Sequence, residues 1–395
     1  MRRTNKPAKL EIGVLYGFRA LMILFVMNYH LWQQSWLPQA FVLGGKYISF
    51  DFWTRSSYLF VDGMILMSGF LLYLPYARAK QEATPMPSVK RFYFNRVVRI
   101  LPSYLFAVFA ALFLIALPQN MYHTTGSMLK DVFAHLTFTF LFWPATYVAT
   151  PLNMALWTIA VEVQFYLIFP LLARAMKKRA GLTAGAMMLA AWIYRLCVAQ
   201  FAKDTTILIN QLPAFLDVYA IGMLLASGWC RLTRWVRSFS RWQKGIVHGL
   251  SAAVFAAGLY MLVSILKVQS NAGLSGNDAL KLSQMAVRLP LAVTLGLMMF
   301  AASFWPRFLQ KLLDNRLMRF LSTISMNLYI WHQVLAVQMR MAWFPDVNLL
   351  HADRKLQSAY TLLCISVAVL AAMAVTYGLE QPVSRWANRH VHLKE

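Results

Sequence analysis

Residues 12–32 read IGVLYGFRALMILFVMNYHLW: twenty-one residues that contain one arginine and one histidine and no lysine, aspartate or glutamate. A hydrocarbon layer about 30 Å thick is crossed by ~20 predominantly apolar helical residues. The stretch therefore predicts a membrane-spanning helix. It is too long for the apolar core of a cleavable leader and has no small-residue cleavage site, so it reads as a retained signal-anchor helix. Comparable runs recur along the chain, at about 57–77, 100–118, 153–173, 180–202, 207–229, 245–266, 282–304, 318–341 and 358–379. The whole 395-residue chain agrees: 59% of it is hydrophobic and 13% charged, where soluble domains carry about 25% charged residues. Too little polar side chain remains to cover a water-soluble globule. The fold class is all-α, a polytopic membrane bundle of about ten helices, read as a single domain over 1–395.

The formal net charge of +24 would suggest a nucleic-acid partner on a soluble protein. Here its placement argues otherwise. Arg2, Arg3, Lys6 and Lys9 precede the first span; Arg78, Lys80, Lys90, Arg91, Arg96 and Arg99 separate the second from the third; Arg174, Lys177, Lys178 and Arg179 follow the fourth. If the ambiguous apolar stretch 132–148 does not cross, twenty-six of the 38 basic residues fall on one side, nine on the other and three within spans. The positive-inside rule then makes both termini cytoplasmic, with tails 1–11 and 383–395, and makes 119–152 an outer loop whose apolar part is re-entrant or lies on the surface. The charge is explained by topology, so no nucleic acid is expected. Cys197, Cys230 and Cys364 are scattered through apolar stretches without metal-ligand spacing, so neither a metal site nor a disulfide framework is expected.

Ionisable residues inside a span cost at least ~2.5–3.5 kcal/mol at its centre, which makes each a functional candidate. Arg19 and His30 stand eleven positions apart in the first span. At 100° per residue they lie within ~20° of one face, separated by ~16 Å along the axis. Snorkelling of Arg19 to the headgroups and an interfacial placement of His30 are the bland alternatives. Asp62 opens the second span, where a helix N-terminus favours an acid; Gly63, Ser68 and Gly69 follow it as small residues for close packing. Glu162 lies in the apolar run LWTIAVEVQFY at 156–166, where a buried ion pair is the alternative to a functional carboxylate. Asp217 and His332 are also intramembrane, with packing or hydrogen-bonding roles as alternatives. Arg96 and Arg99, three apart, share a helix face. Together they form an anion or phosphate site, or else anchor the third span.

These segments, in this order, resemble the acyltransferase-3 family of membrane O-acyltransferases. Arg19 and His30 match its arginine, ten residues, histidine signature. Val61-Asp62 through Ser68-Gly69-Phe70-Leu71 resembles its Asp…Ser-Gly-Phe pattern. Arg96, Arg99, Pro102 and Tyr104 are similar to its Arg-x-x-Arg and Arg-Ile-x-Pro-x-Tyr segment. Trp157 through Glu162, Gln164, Phe165 and Tyr166 resembles its Trp-Ser-Leu-x-x-Glu-x-Gln-Phe-Tyr signature, with Thr158 in place of the serine. Tyr329 through His332 and Glu380-Gln381-Pro382 look like its late Tyr-Leu-x-His and closing Glu-x-Pro segments. The likeness covers residues 12–382 and suggests a stand-alone member without the C-terminal esterase-like domain that some relatives carry.

The resemblance implies transfer of an acyl group, most often acetyl and alternatively succinyl, from cytoplasmic acyl-CoA to a hydroxyl of an extracytoplasmic or lipid-linked glycan, in a bacterial inner membrane. On that reading Arg96 and Arg99, with Arg19, bind the donor phosphates, and Arg19 alternatively polarises the thioester. His30 is the general base or a transient acyl carrier. Asp62 or Glu162, with Glu162 preferred, fixes the histidine tautomer. Trp157, Tyr166 and His332 bind substrate. A proton-coupled transporter or flippase is the competing class, since it also uses intramembrane charges. The chain shows no paired interrupted helices in matching halves to support it.

Overall fold

The computed structural model describes residues 11–349 and 351–391. The basic cluster at Arg2, Arg3, Lys6 and Lys9, and Lys394 in the tail, lie outside them. Ten long helices occupy the ten expected spans: α1 (Val14–Ser35), α3 (Phe60–Gln81), α4 (Val89–Ala111), α7 (Trp157–Lys178), α8 (Ala180–Phe201), α9 (Leu216–Arg237), α10 (Arg241–Leu274), α11 (Asn277–Ala302), α13 (Arg316–Trp343) and α14 (Arg354–Val375). Among the described residues nine of these, with their flanking turns, are long and apolar enough to cross a membrane. The tenth, α13, has 28 residues but carries Ser322, Ser325, Asn327 and His332, all buried inside the bundle. Its polarity faces protein instead of lipid. A helix can afford that only where neighbours satisfy its polar groups.

The remaining elements are short. A β-hairpin, β1 (Ala40–Leu43) paired antiparallel with β2 (Lys46–Ser49), follows α1. Gly44 and Gly45 take φ of 57° and 79° at its two-residue turn, the left-handed conformation that such turns require. Then come α2 (Asp51–Ser56), α5 (Thr125–Leu136), α6 (Pro144–Tyr147), α12 (Arg307–Leu313) and α15 (Gln381–His390). Within 119–152 the longest helix is α5, with 12 residues, about 18 Å at 1.5 Å per residue. A polar knot ties this segment down. Asp131 accepts from Tyr122 Oη (2.7 Å) and Thr150 Oγ1 (2.8 Å), and sits 3.1 Å from His135 Nδ1. Burial and the bond to Asp131 hold the Tyr122 phenol well above its usual range.

Two departures from the expected boundaries bear on the site. Helix α4 begins at Val89, with Ser88 Oγ accepting its first-turn N–H from Arg91, eleven residues before the expected start of the span, so Arg96 and Arg99 share a face of this same helix. Helix α9 begins at Leu216, after a 3₁₀ turn at Leu212–Phe215. That irregular backbone leaves the Ala214 carbonyl free, and two buried arginines take it: Arg195 Nη1 at 3.2 Å and Arg288 Nη1 at 3.3 Å.

Helix α1 packs against α13 on one side and α3 on another. Tyr16 lies under the Arg319 guanidinium (4.7 Å), and His30 meets His332. The two helices therefore run parallel, in register over four turns. Helices α3 and α9 approach closely through glycines: a Cβ on Gly69 would stand 2.7 Å from the Tyr219 carbonyl oxygen. A side chain there would push the pair apart.

Candidate functional site

A cavity of about 490 Å³ opens among α1, α3, α4, α7 and α13, within the ~300–1,000 Å³ range of small-molecule sites. Its charged lining comprises Arg19, Arg96, Arg99, Glu162 and, near the start of α1, Glu11. Glu162 is held from both sides: Ser68 Oγ donates to Oε1 (2.5 Å) and Tyr166 Oη to Oε2 (2.7 Å). Arg19 lies within electrostatic reach of Arg99, Glu162 and Arg96. Among the described residues none of the three arginines has a carboxylate within 4 Å or a hydrogen bond to protein. Arg96 has aromatic neighbours instead, its Cζ lying 5.9 Å from the Phe92 ring and 5.8 Å from that of Tyr166, while its Nε is buried without a partner.

Three guanidiniums around one half-buried space repel one another; two like charges ~8 Å apart at an effective dielectric of ~20 cost about 2 kcal/mol. Glu162 offsets part of this, while Glu11 is paired with Arg319 (3.2 Å). Planar forks without partners match phosphate or carboxylate oxygens, so the cavity is built for a polyanion.

His30 lies beyond this cavity, farther along α1. Its Nδ1 is 3.0 Å from the Val26 carbonyl oxygen and 2.9 Å from Nε2 of His332. Nδ1 of His332 in turn faces the carbonyl oxygens of Tyr329 (2.7 Å) and Leu328 (3.2 Å). Tyr329 links the two regions: its side chain lines the arginine cavity and its carbonyl holds His332.

The structure thus sorts the residues singled out in the sequence. Arg19, Arg96, Arg99, Glu162 and Tyr166 share one cavity. His30 and His332 form a separate dyad. The expectation that Asp62 or Glu162 orients His30 is corrected. Glu162 is engaged by Ser68 and Tyr166 beside the arginines, and Asp62 is buried with its Oδ2 accepting from Arg288 Nε (3.0 Å). Arg288 is also stacked 4.0 Å from the Phe215 ring. Asp217 is likewise locked, in a bidentate pair with Arg195 (3.1 and 2.5 Å). These pairs clamp the 3₁₀ turn before α9. Trp157 is not at the cavity either: it packs on Phe215, ring centroids 6.0 Å apart. His332, expected to bind substrate, is 1% exposed and faces His30. Ser68 is the residue that sequence reasoning undervalued. It reads as a small packing residue, yet it is the only hydroxyl that α3 presents to the cavity, a signal legible only once Glu162 is known to face it.

The model of the acyltransferase domain family matches residues 14–378. The chain belongs to this family, the acyltransferase-3 proteins. Similar curated proteins include "Peptidoglycan O-acetyltransferase OatA" of Listeria monocytogenes, 25% identical over 177 residues, covering 43% of this chain and 25% of that protein. "Putative peptidoglycan O-acetyltransferase YrhL" of Bacillus subtilis is 24% identical over 331 residues, covering 80% of this chain and 47% of that protein. "Putative acetyltransferase ORF330" of Acidianus two-tailed virus is 26% identical over 215 residues, 54% of this chain and 56% of that protein. The chain thus spans between a quarter and 56% of the length of these relatives. No solved structure matches it.

Proposed function

We propose that this membrane protein transfers an acyl group, acetyl or succinyl, from acyl-CoA to a hydroxyl of a glycan or lipid-linked saccharide. The observation that carries the reading is the cavity in which Arg19, Arg96 and Arg99 converge without ion-pair partners among the described residues. Acyl-CoA is a polyanion at one end and a thioester at the other, joined by an extended arm. Arg96 and Arg99 bind the phosphates. Arg19, deeper in the cavity, holds a phosphate or the thioester carbonyl. Glu162, fixed by Ser68 and Tyr166, sets the guanidiniums' orientation and limits their mutual repulsion. The ~16 Å between Arg19 and His30 along α1 is the distance the arm bridges.

His30 is the base on this reading. The acceptor hydroxyl gives its proton to the imidazole as its oxygen bonds to the thioester carbonyl carbon. The C–S bond then breaks and the departing thiolate takes up a proton. The charge split in the sequence supports a cytoplasmic arginine end, on the side where acyl-CoA is made, and an outer His30 end. The names of the relatives support acetyl as the group and a cell-wall glycan as the acceptor. Two of the intramembrane acids that a transporter would cycle, Asp62 and Asp217, are locked to arginines here.

The test is turnover by the purified protein in nanodiscs, supplied with radiolabelled acetyl-CoA or succinyl-CoA and a panel of muropeptides and oligosaccharides. Acceptor-dependent release of CoA with label on the saccharide is expected. Absence of donor binding and of label transfer across the panel, with folded protein, refutes the reading.

A further inference from the structure

We propose that His332 is the positioning residue of a carboxylate-free histidine dyad: it fixes His30 in the tautomer with the proton on Nδ1, so that Nε2 is the reacting atom. This rests on the acyl-transfer reading for its role but on hydrogen-bond geometry for its existence.

The assignment follows from which groups can donate. The Nδ1 of His332 faces two backbone carbonyls, at 2.7 and 3.2 Å. Carbonyls only accept, so that nitrogen carries the proton. In a neutral imidazole the other nitrogen then holds a lone pair. That lone pair, on Nε2 of His332, stands 2.9 Å from Nδ1 of His30. The second neighbour of His30 Nδ1 is the Val26 carbonyl oxygen at 3.0 Å. Both of its neighbours are acceptors, so His30 Nδ1 is the donor and shares its proton between them. Nε2 of His30 is left as the ring's lone pair. It has no protein partner among the described residues and is not one of the sealed, unpartnered polar atoms.

Histidine bases are commonly oriented by a carboxylate, as in Ser-His-Asp triads. Here the two acids named from the sequence are occupied elsewhere, and a 1% exposed imidazole takes that place. The consequence is chemical. When Nε2 of His30 accepts the acceptor's proton, the Nδ1–H bond of His30 can break in favour of Nε2 of His332. One positive charge is then shared by two rings and stabilised by the Val26, Tyr329 and Leu328 carbonyls. Return of that proton to Nδ1 frees the one on Nε2 for the leaving thiolate. The proton count of the dyad is unchanged over a cycle.

Two measurements test this. The first does not need activity: ¹⁵N NMR of ring-labelled histidine in lipid nanodiscs, comparing wild type with His30→Gln and His332→Gln to assign signals. We expect His30 protonated at Nδ1 and unprotonated at Nε2, with through-hydrogen-bond N–N coupling to His332. A His30 ring protonated on Nε2, or no coupling to His332, overturns the proposal whatever the protein acylates. The second uses His332→Leu, which removes the acceptor while keeping bulk, and His332→Gln, whose amide oxygen can replace it. The leucine variant should lose about 10²-fold in kcat with unchanged KM for acetyl-CoA and unchanged melting; glutamine should recover to within about tenfold of wild type. Leucine within threefold of wild type overturns the role. So does glutamine failing as badly as leucine, or losses that track melting temperature or donor affinity. A wild-type protein that binds or turns over no acyl-CoA refutes the acyltransfer reading instead, and the NMR result still decides the dyad.

Discussion

Arg96→Ala tests the donor site most directly, because the structure predicts opposite outcomes for binding and for folding. The Arg96 guanidinium has no carboxylate partner among the described residues, so its removal breaks no ion pair there. It loses two cation–π contacts at 5.9 and 5.8 Å, worth about 0.5–2 kcal/mol together at a partly buried site. It also removes a buried Nε without a partner, an unsatisfied group that costs about 1–3 kcal/mol. These nearly cancel, so the melting temperature should hardly move. Donor binding should weaken by one charge-assisted contact, about 1.5–3 kcal/mol, or roughly 10- to 150-fold in Kd. The assay is a cycle. Affinities of wild type and Arg96→Ala are measured for acetyl-CoA and for acetylpantetheine, which keeps the thioester and lacks the nucleotide phosphates. The loss should be large for acetyl-CoA and near onefold for acetylpantetheine, and Arg96→Lys should recover only part of it because an ammonium lacks the fork. Arg99→Ala should behave alike, and the double variant should lose less than the summed singles because neighbouring sites couple. Equal losses for both donors would show that Arg96 does not read phosphate, and the cavity argument would fall.

His30→Gln should lower acyl transfer by about 10²–10⁴-fold while acetyl-CoA affinity stays within a factor of two or three; wild-type turnover in a well-folded His30→Gln protein removes the base from the mechanism. Asp62→Asn should act on stability, costing about 3–5 kcal/mol because it strands the Arg288 charge, and Asp62→Leu with Arg288→Leu should regain much of that; a normally melting but inactive Asp62→Asn protein would restore a catalytic role to this acid. For topology, single cysteines placed in 119–130 and in 149–152 on a cysteine-free background should react with an impermeant maleimide from the same, outer side, and labelling from opposite sides would mean that 132–148 crosses.

Much of the site was legible because it depends on properties that run along the chain. The stripe of Arg19 and His30 follows from the 100° turn per residue, and the pairing of Arg96 with Arg99 from their spacing of three. Glu162 stands out because a carboxylate in LWTIAVEVQFY is costly in lipid. Each of these reached the place that its helix face dictated, the arginines and Glu162 in one cavity. Asp62 misled for the same reason. Its position at a helix start looks like a dipole-favoured or catalytic acid, and nothing nearby announces Arg288, 226 residues away.

Hydropathy, charge placement and helical periodicity are local quantities, so the class of fold, the helices and the residues too polar for lipid can all be read along the chain. Which of those residues meet depends on how the helices pack. Helix α13 reads as the most polar of the ten spans, and only its parallel packing on α1 puts His332 Nε2 at 2.9 Å from His30 Nδ1, across 302 residues of chain. The choice among Asp62, Glu162 and His332 as the partner of His30 turns on helix rotation and axial register. A rotation of one residue moves a side chain by 100°, and that register is set by close packing at many contacts at once, Gly69 against Tyr219 among them.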